Sequence, residues 1–380
     1  MIELDKKFEL LEKQFYEKFI KLGIAENKGC NIPYSYYDYS NNSVDVGDGT
    51  INIAQYLTFL YYYWKYHGND TVRYEIKQAI GTLERLEKSA YEMYSVELPG
   101  IDFPIRGFFI KDDIDDVDGV TAYKQFYYPN IEDPCFSPFI SQDQVWNLNP
   151  ILAKFAQEGF TEAAYAGRRI NGYIMQNGYT IHNPYLSRIV HWHTYCPTFN
   201  EDKVKPWDRQ ADREFNYKPM IKVKRGANNW YYSGGTKACF NSFSTGDFTK
   251  AGHSIRELAY RATIFVLDRI YEPIYKLVTG NDFKHNSYYC YAATSGIWYN
   301  NSYKKRFKRR FTASLERCIE TGTTPFEANI APLVLGIDND VCGSLEAYLM
   351  NVPEPVTTGK VESPLMNLTL YYWWKCMTKV

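Results

Sequence analysis

Apolar residues recur every three or four positions along much of the chain, which is the spacing that places them on one face of an α-helix. A first stripe of this kind runs from Leu4 to Leu22, with charged residues on the other faces and Gly23 placed to end the helix. A second helix is predicted from about Ile51 to Tyr66. Its tyrosines leave almost no polar face, so we expect it to be buried on most sides.

The order of a mostly apolar helix, a turn and an amphipathic helix occurs more than once. The turn HGND leads from the second helix into an amphipathic third helix over roughly 71–94. A similar pair turns at Gly159, and the C-terminal SPLMNLTLYYWWKCM has the pattern of another aromatic inner helix. These units lie too far apart for a solenoid of short repeats. Alternating buried and half-buried helices predict a mainly α fold in which the helices form a closed double ring.

One segment near the middle of the chain, residues 177–229, departs from helical periodicity. It combines short β-like alternation with many turn residues, as in HWHTYCPTFNEDKVKPW. A long segment without helices usually lies beside a functional site. We therefore expect a single domain over residues 1–380, in which 177–229 form an irregular, partly β insertion over one mouth of the ring.

Composition narrows the class of protein. The chain has 380 residues, of which 45% are apolar and 23% charged, as in globular proteins that bury a large core. Aromatic residues make up 17%, including 35 Tyr, which suits wide polar clefts or extensive contact surfaces. Lys and Arg number 43 against 44 Asp and Glu, a balance that argues against a protein built mainly to hold nucleic acid.

Targeting signals and cysteines add an expectation about location. The start MIELDKKFELLEKQF lacks the apolar core of a signal peptide, and no window has the roughly 18 apolar residues of a membrane span. We expect a cytoplasmic or phage- or virion-associated protein without a membrane partner. The eight cysteines show no CxxC spacing, which predicts reduced thiols.

The helical pattern, with the segments IRGFFIKDDI, SQDQVWNL and KVKRGANNWYYSGGTKA, resembles the (α/α)6 toroid of many glycoside hydrolases and polysaccharide lyases. The resemblance covers most of the chain as a pattern and matches no specific characterised family. It implies that inner helices are buried, that outer helices are amphipathic, and that carboxylates at the N-terminal ends of inner helices face a central cleft.

The stretch SQDQ contains the first candidate catalytic residue, Asp143. Ser141 and Gln144 have the spacing of a capping box, and an acid in the first turn complements the helix dipole, so helix capping alone accounts for these residues. The toroid resemblance adds a second interpretation, in which Asp143 faces the cleft as a base or water-orienting residue. Trp146, one turn further on, is then a substrate contact.

Asp48 precedes another predicted buried helix in the stretch VDVGDGTINIAQ. An Asx turn or a helix cap explains it without any catalytic role. If Asp48 and Asp143 face the same cleft, however, they form the pair of carboxylates that cleavage of a glycosidic bond requires.

Two further motifs suggest metal ligands but do not complete a site. IKDDIDDVDG is rich in Asp, yet the order of its acids does not fit an EF-hand, so a solvated acidic loop is the simpler interpretation, with Asp113 as a possible third carboxylate at the rim. His191 and His193 in HWH lack a third ligand at a suitable spacing. We expect no metal and no other cofactor.

The stretch RGANNWYYSGG brings together groups that hold sugars. Its guanidinium and amides suit hydrogen bonds to hydroxyls, and its rings suit stacking on the apolar face of a sugar. A core Trp beside a turn is the structural alternative. The predicted substrate contacts here are Arg225, Asn229, Trp230 and Tyr231, and His253 at the start of a later helix is a further candidate.

The run KKRFKRR, residues 304–310, is the strongest local concentration of charge. It could contact nucleic acid, an anionic glycan or an acidic partner, or it could be a solvated helix face balanced by the acidic loop. The sequence has no Walker A loop, Rossmann fingerprint, GxSxG elbow or HExxH motif, which argues against nucleotide enzymes, α/β serine hydrolases and zincins.

These observations favour a carbohydrate-active enzyme that cleaves a glycan, its expected partner, in an aromatic- and carboxylate-lined cleft. A non-catalytic assembly protein, for example a phage particle component with protein partners, is the main alternative, because glycan-degrading enzymes usually carry an export signal. A glycan-binding module without turnover is another, and it would keep the aromatic contacts but lack the pair of carboxylates.

Overall fold

The computed structural model describes residues 2–45, 49–97, 107–114, 121–123, 142–176, 243–244, 270, 272–279, 301–352 and 362–379. Within these ranges the protein is mainly helical, as the hydrophobic spacing predicts. The described helices are α1 (Ile2–Lys18), α2 (Gly49–His67), α3 (Asp70–Glu97), α4 (Gln142–Gln157), α5 (Thr161–Gln176), α6 (Glu272–Thr279), α7 (Asn301–Thr321), α8 (Ala331–Leu335), α9 (Cys342–Asn351) and α10 (Glu362–Thr378).

Helices α10, α2 and α4 lie side by side in a row, with α2 in the centre. The predicted burial of α2 is confirmed, because its side chains are buried from the first turn through Tyr62 at all positions but one. Lys379, just after α10, donates to the carbonyl oxygen of Tyr66 near the end of α2. Tyr61 donates to Glu158, just after α4, at 2.9 Å. The C-terminal ends therefore lie together, and the row is parallel.

Amphipathic helices pack against this row: α3 contacts α2, α5 contacts α4 and α1 contacts α10. Turns at Gly68 and Gly159, whose φ angles of 69° and 86° favour glycine, reverse the chain between α2 and α3 and between α4 and α5. Asn149 and Asn171 join α4 to α5 by a reciprocal pair of amide hydrogen bonds, 2.9 and 3.1 Å long. The predicted alternation of buried and half-buried helices is present in this part of the chain.

The short helix α8 and the residues after it pack against the same row. The hydroxyl of Tyr62 donates to the carbonyl oxygen of Pro332, and Trp373 Nε1 donates to that of Gly336 at 2.7 Å. Tyrosine and tryptophan can be buried here because each polar end reaches a backbone acceptor.

Residues 107–114 form a buried non-helical connection, which we call the 107–114 segment. Its apolar residues Phe108, Phe109, Ile110 and Ile114 all belong to the core. Gly107, with a φ of 80°, lies so close to α5 that a Cβ atom would be 2.0 Å from the carbonyl oxygen of Arg169. Glu87 of α3 accepts the Gly107 N–H at 2.6 Å, which attaches the segment to α3.

A small sheet, absent from the prediction, includes the residues shortly before α2. Strand β1 (Tyr36–Asp38) pairs antiparallel with β2 (Ser43–Asp45), and β2 pairs parallel with β3 (Thr121–Tyr123). Asp38 closes the turn between β1 and β2, because its carboxylate accepts the Ser40 N–H at 2.8 Å. Strands this short carry too few residues for a recognisable alternation.

The predicted end of the first helix is wrong by four residues. Helix α1 ends at Lys18, because Tyr34 N–H donates to the carbonyl oxygen of Phe19 at 2.8 Å and Asn31 N–H donates to that of Lys21 at 2.7 Å. Leu22, predicted to lie on the buried stripe, is 47% exposed. The chain after α1 thus pairs with a later segment instead of continuing the helix.

Thiols and membrane spans can be assessed within the described ranges. Cys30, Cys318, Cys342 and Cys376 are free, in agreement with the predicted reduced state. None of the helices described has the length and apolar character needed to cross a membrane.

Candidate functional site

The N-terminal end of α2 lies against the 107–114 segment, and carboxylates of this segment are buried in the protein interior. Gly49, the first residue of α2, permits the approach: a Cβ atom there would lie 2.5 Å from the carbonyl oxygen of Lys111 and 3.0 Å from the Cβ atom of Asp112. Strand β2 ends at Asp45, and its charge acts on Asp112. The helix start, the strand end and the segment therefore meet around one carboxyl group.

Asp112 is the most strongly perturbed acid of this cluster. Asp112 is 8% exposed, and its carboxylate accepts a hydrogen bond from the Ile114 N–H at 3.2 Å. The pKa of Asp112 is raised to about 7, chiefly by burial and also by the negative charges of Asp113 and Asp45, while the Ile114 N–H and Lys111 act in the opposite direction. A substantial fraction of this carboxyl is therefore protonated at neutral pH.

Asp113 has a structural role instead. Its carboxylate accepts two hydrogen bonds from Arg85, at 2.7 and 3.0 Å, and one from the Gly29 N–H at 3.1 Å. The same guanidinium donates to the carbonyl oxygens of Ala25 and Cys30. A buried bidentate pair of this kind fixes the 107–114 segment to α3 and to the loop after α1.

The prediction that IKDDIDDVDG is a solvated acidic loop with Asp113 at its rim is wrong for the two acids that the structure describes, Asp112 and Asp113. Both are buried, and they differ because only Asp113 reaches a guanidinium. In the sequence, the four apolar residues GFFI just before Lys111 indicate this burial. No local pattern indicates the pairing with Arg85, which lies 28 residues earlier in the chain.

Asp143 and Trp146 lie in the first turns of α4, where a helix start was predicted. The structure describes the backbone of these residues and not their side chains. Gln144, the predicted capping-box partner, is buried, and Ser141 lies outside the described residues. The structure thus places Asp143 at the N-terminal end of a helix in the buried row and leaves its cleft-facing role a prediction.

The other predicted site residues lie outside the described residues: Asp48, Arg225, Asn229, Trp230, Tyr231 and His253. The insertion 177–229 and the pair His191 and His193 lie outside them as well. Within the described ranges, no group of His, Cys, Asp and Glu side chains has the arrangement of a metal site.

A second cluster of titratable groups, which the sequence did not indicate, joins α1, α2 and α3. Glu75 accepts hydrogen bonds from Tyr16, at 2.8 Å, and from Tyr56. Glu12 accepts a hydrogen bond from Tyr372 of α10. Burial raises the pKa of both glutamates, although the tyrosine hydroxyls act against this shift. The cluster is covered by helices and holds the helical layers together.

Lys154 is a third perturbed group, on α4. The pKa of its ammonium is lowered to about 8, chiefly by burial and also by the charge of Lys304, while Glu158 acts in the opposite direction. Sequence alone did not single out this lysine, because a cation one turn from a helix end looks like an ordinary dipole partner.

The basic run 304–310 lies on α7 and is anchored on one side. Phe307 is buried, and Lys308 pairs with Asp338 and Asp340 at 3.1 and 2.6 Å. For Lys308, the predicted balance with the IKDDIDDVDG acids is therefore wrong, since its acidic partners come from the turn before α9.

Comparison with known proteins gives no relative: no family model, no curated protein and no solved structure matches the chain.

Proposed function

We propose that the protein is a carbohydrate-active enzyme that cleaves a glycan at the N-terminal ends of its inner helices, with Asp112 as the proton donor. The observation that carries the proposal is the raised pKa of Asp112, about 7, at the start of the buried helix α2. Glycosidic cleavage needs one carboxyl group that stays protonated near neutral pH while another is ionised.

The parallel row α10–α2–α4 supports the finer proposal of a closed (α/α) toroid. Its helices are buried, its neighbours are amphipathic, and its N-terminal ends lie on the same side. This is the arrangement expected for consecutive inner helices of a double ring. In the complete ring, residues 177–229 would cover one mouth.

The remaining roles follow from the charges expected at these helix starts. Asp143, in the first turn of α4, experiences the positive end of the helix dipole, which favours an ionised base. Asp48 immediately precedes α2, close in sequence to the acids around Asp112, and is proposed as a further carboxylate of the cleft. Arg225, Asn229 and Trp230 are proposed as sugar contacts.

The substitution Asp112→Asn tests this proposal. Wild-type protein is screened against a panel of soluble polysaccharides by reducing-sugar release and by absorbance of unsaturated products. On any substrate that is cleaved, the variant is expected to lose about 10²- to 10⁴-fold in kcat, the usual contribution of a general acid. Wild-type activity should fall as pH rises through about 7, because the acid loses its proton.

The control is Glu158→Gln. Glu158 lies just after the C-terminal end of α4, at the opposite end of that helix from Asp143, and accepts a hydrogen bond from Tyr61 at 2.9 Å. Thermal unfolding of both variants shows whether the fold is retained. Full activity of Asp112→Asn on a cleaved glycan would disprove the donor role. Glycan binding without turnover by the wild type would favour a binding module.

A non-catalytic assembly protein is the second proposal, and α6 provides the observation in its favour. Ile274, Leu277 and Val278 follow the spacing of one helix face and are 54%, 86% and 77% exposed. Light scattering after size exclusion tests it: a stable ring or filament that Leu277→Glu disperses would support assembly, whereas a monomer at all concentrations would count against it.

A further inference from the structure

Four tyrosine hydroxyls surround two glutamates where α1, α2, α3 and α10 meet, and we call these six residues the tyrosine–glutamate cluster. Glu75 accepts hydrogen bonds from Tyr16 and Tyr56, while Glu12 accepts one from Tyr372 and has Tyr63 as a weaker donor. In the part of the chain that the structure describes, neither glutamate forms an ion pair. Tyrosines therefore supply all the polar contacts described for these two carboxylates.

The rings of the cluster extend from the interior towards the surface. Tyr56 and Tyr372 are buried, whereas Tyr16 and Tyr63 are half-buried. The ring of Phe59 lies among the four, with centroid separations of 5.4 to 6.4 Å. Tyr63 and Tyr372 also touch directly, edge to face, with ring centroids 4.7 Å apart.

Other buried tyrosines of this protein use neutral acceptors. Tyr348 donates to the side-chain amide of Asn367 at 2.8 Å, and Tyr62 donates to the carbonyl oxygen of Pro332. Burying a carboxylate without a cation costs more than burying such an acceptor. A carboxylate can, however, take up a proton near neutral pH, which an amide cannot. Burial raises the pKa of both cluster glutamates and so makes them stronger bases.

Oxidation of a tyrosine requires a base of this kind. Removal of one electron from a phenol makes its hydroxyl strongly acidic, so the oxidised form is stabilised only when the proton leaves. A carboxylate that is already hydrogen-bonded to the hydroxyl can take this proton without rearrangement of the side chains. Because an electron can pass between aromatic rings in contact, the oxidant needs to approach only the half-buried Tyr63 and not the buried Tyr372.

We propose that Tyr372 is a redox-active residue that gives one electron, through the ring of Tyr63, to an oxidising radical at the protein surface, with Glu12 as the proton acceptor. The O–H bond of Tyr372 breaks, and its proton forms a bond with Oε2 of Glu12. The products are a neutral tyrosyl radical, a neutral carboxyl group and the oxidant reduced by one electron. One electron from a reductant reverses the step, and the proton returns to Tyr372.

The test generates a one-electron oxidant by flash photolysis, with tris(bipyridine)ruthenium(III) as the probe and the full chain as the target. Electron paramagnetic resonance and transient absorption follow the tyrosyl radicals. Radicals of exposed tyrosines decay rapidly, whereas a radical on the buried Tyr372 should give a long-lived signal. In the wild type, this signal should form more slowly in ²H₂O than in H₂O, because the proton moves together with the electron.

Variants separate the proton acceptor from the ring. Glu12→Gln keeps a hydrogen-bond acceptor but removes the base, and is expected to lower the long-lived signal at least about tenfold. Tyr372→Phe should abolish it. Two controls should retain it: Tyr348→Phe, which alters a buried tyrosine with an amide acceptor, and Glu3→Gln, which alters an exposed glutamate of α1. Thermal unfolding shows whether each variant keeps the fold.

Three outcomes would overturn the proposal. One is a wild-type protein that gives no long-lived tyrosyl signal, or one that forms equally fast in both solvents. Another is a folded Glu12→Gln variant with the full signal. The third is a loss in Tyr348→Phe as large as the loss in Tyr372→Phe, which would show that burial is sufficient and that the carboxylate has no part. The solvent comparison needs no variant, so it decides even if Glu12→Gln fails to fold.

Discussion

At the scale of single residues, burial brings an acid and a base of this protein towards their neutral forms. Asp112 near the start of α2 and Lys154 near the end of α4 are shifted in opposite directions by the same cause, because loss of hydration disfavours either charge. Asp113, which is also buried, has a bidentate hydrogen-bonding partner in Arg85. A charged, hydrogen-bonding partner thus gives a buried carboxylate a structural role.

Lys154→Met is expected to stabilise the protein. The pKa of Lys154 is lowered to about 8, so the ammonium form is less favourable in the folded chain than in the unfolded chain. Methionine has a similar shape and no charge, and we expect the free energy of unfolding at pH 7 to rise by about 1–3 kcal/mol. Urea unfolding monitored by circular dichroism measures the change.

The pH dependence of this gain gives an internal check. The unfolded lysine binds its proton more tightly than the folded one, so the wild type gains stability as pH rises from about 8 towards the unfolded value of 10.5. The advantage of the variant should therefore shrink in that window. Lys305→Met, an exposed substitution, should show neither effect; an equal gain there would mean that removing any positive charge is sufficient.

At the scale of elements, polar contacts between helices are concentrated on tyrosines. Glu75 of α3 accepts a hydrogen bond from the hydroxyl of Tyr16 in α1 and another from the hydroxyl of Tyr56 in α2, so one carboxylate joins three helices. The excess of tyrosine in the composition is thereby explained in part by interhelical hydrogen bonds. A wide glycan-binding cleft is not required for it.

Glu75→Gln should keep these contacts while removing the buried charge. Burial raises the pKa of Glu75 in the folded protein. The protonated carboxyl group therefore contributes stability at low pH, and this contribution is lost as pH rises through the folded pKa. We expect the variant to gain on the order of 1 kcal/mol at pH 7 and nothing near pH 4. The control is Glu84→Gln, on the exposed face of the same helix, and thermal unfolding at both pH values is the measurement. Destabilisation at pH 7 would show that the ionised form is preferred.

Much of the helical part of the fold could be predicted from the sequence. The pairs α2–α3 and α4–α5 follow from hydrophobic spacing interrupted at Gly68 and Gly159, since periodicity and turn chemistry are both local. The end of α1 was missed because Phe19 to Leu22 continue the stripe, while the hydrogen bonds that end the helix come from Asn31 and Tyr34. Contacts with distant residues decided that boundary.

The candidate site was less predictable than the helices. Asp143 was predicted from its place at a helix start, a local feature; the structure confirms the helix start, since α4 begins at Gln142, and the catalytic role stays a prediction. Asp112 was not recognised, because its shift depends on Gly49 and Asp45, which approach it only in the folded chain. A local pattern can show where a carboxylate begins a helix, but the burial that changes its pKa arises from packing.

At the scale of the whole molecule, the two ends of the chain are joined. Phe8 of α1 stacks on Tyr371 of α10, with ring centroids 4.3 Å apart and planes within 2°. Lys375, one turn later in α10, pairs with Asp5, one turn earlier in α1. An N-terminal helix that packs on a C-terminal helix is what a ring of helices in a single domain requires, and it allows the proposed unity of residues 1–380 to be tested.

Phe8→Ala is the substitution for that test. Phe8 is buried at this junction, and its loss should lower the free energy of unfolding by about 3–5 kcal/mol, whereas Leu10→Ala on the exposed face of α1 should cost less than about 1 kcal/mol. If residues 1–380 fold as one unit, the whole transition shifts to lower denaturant with its slope unchanged. Fluorescence and circular dichroism must then report the same midpoint. A separate early transition confined to part of the signal would instead show that α1 and α10 belong to a domain that unfolds independently, and would contradict the single closed ring.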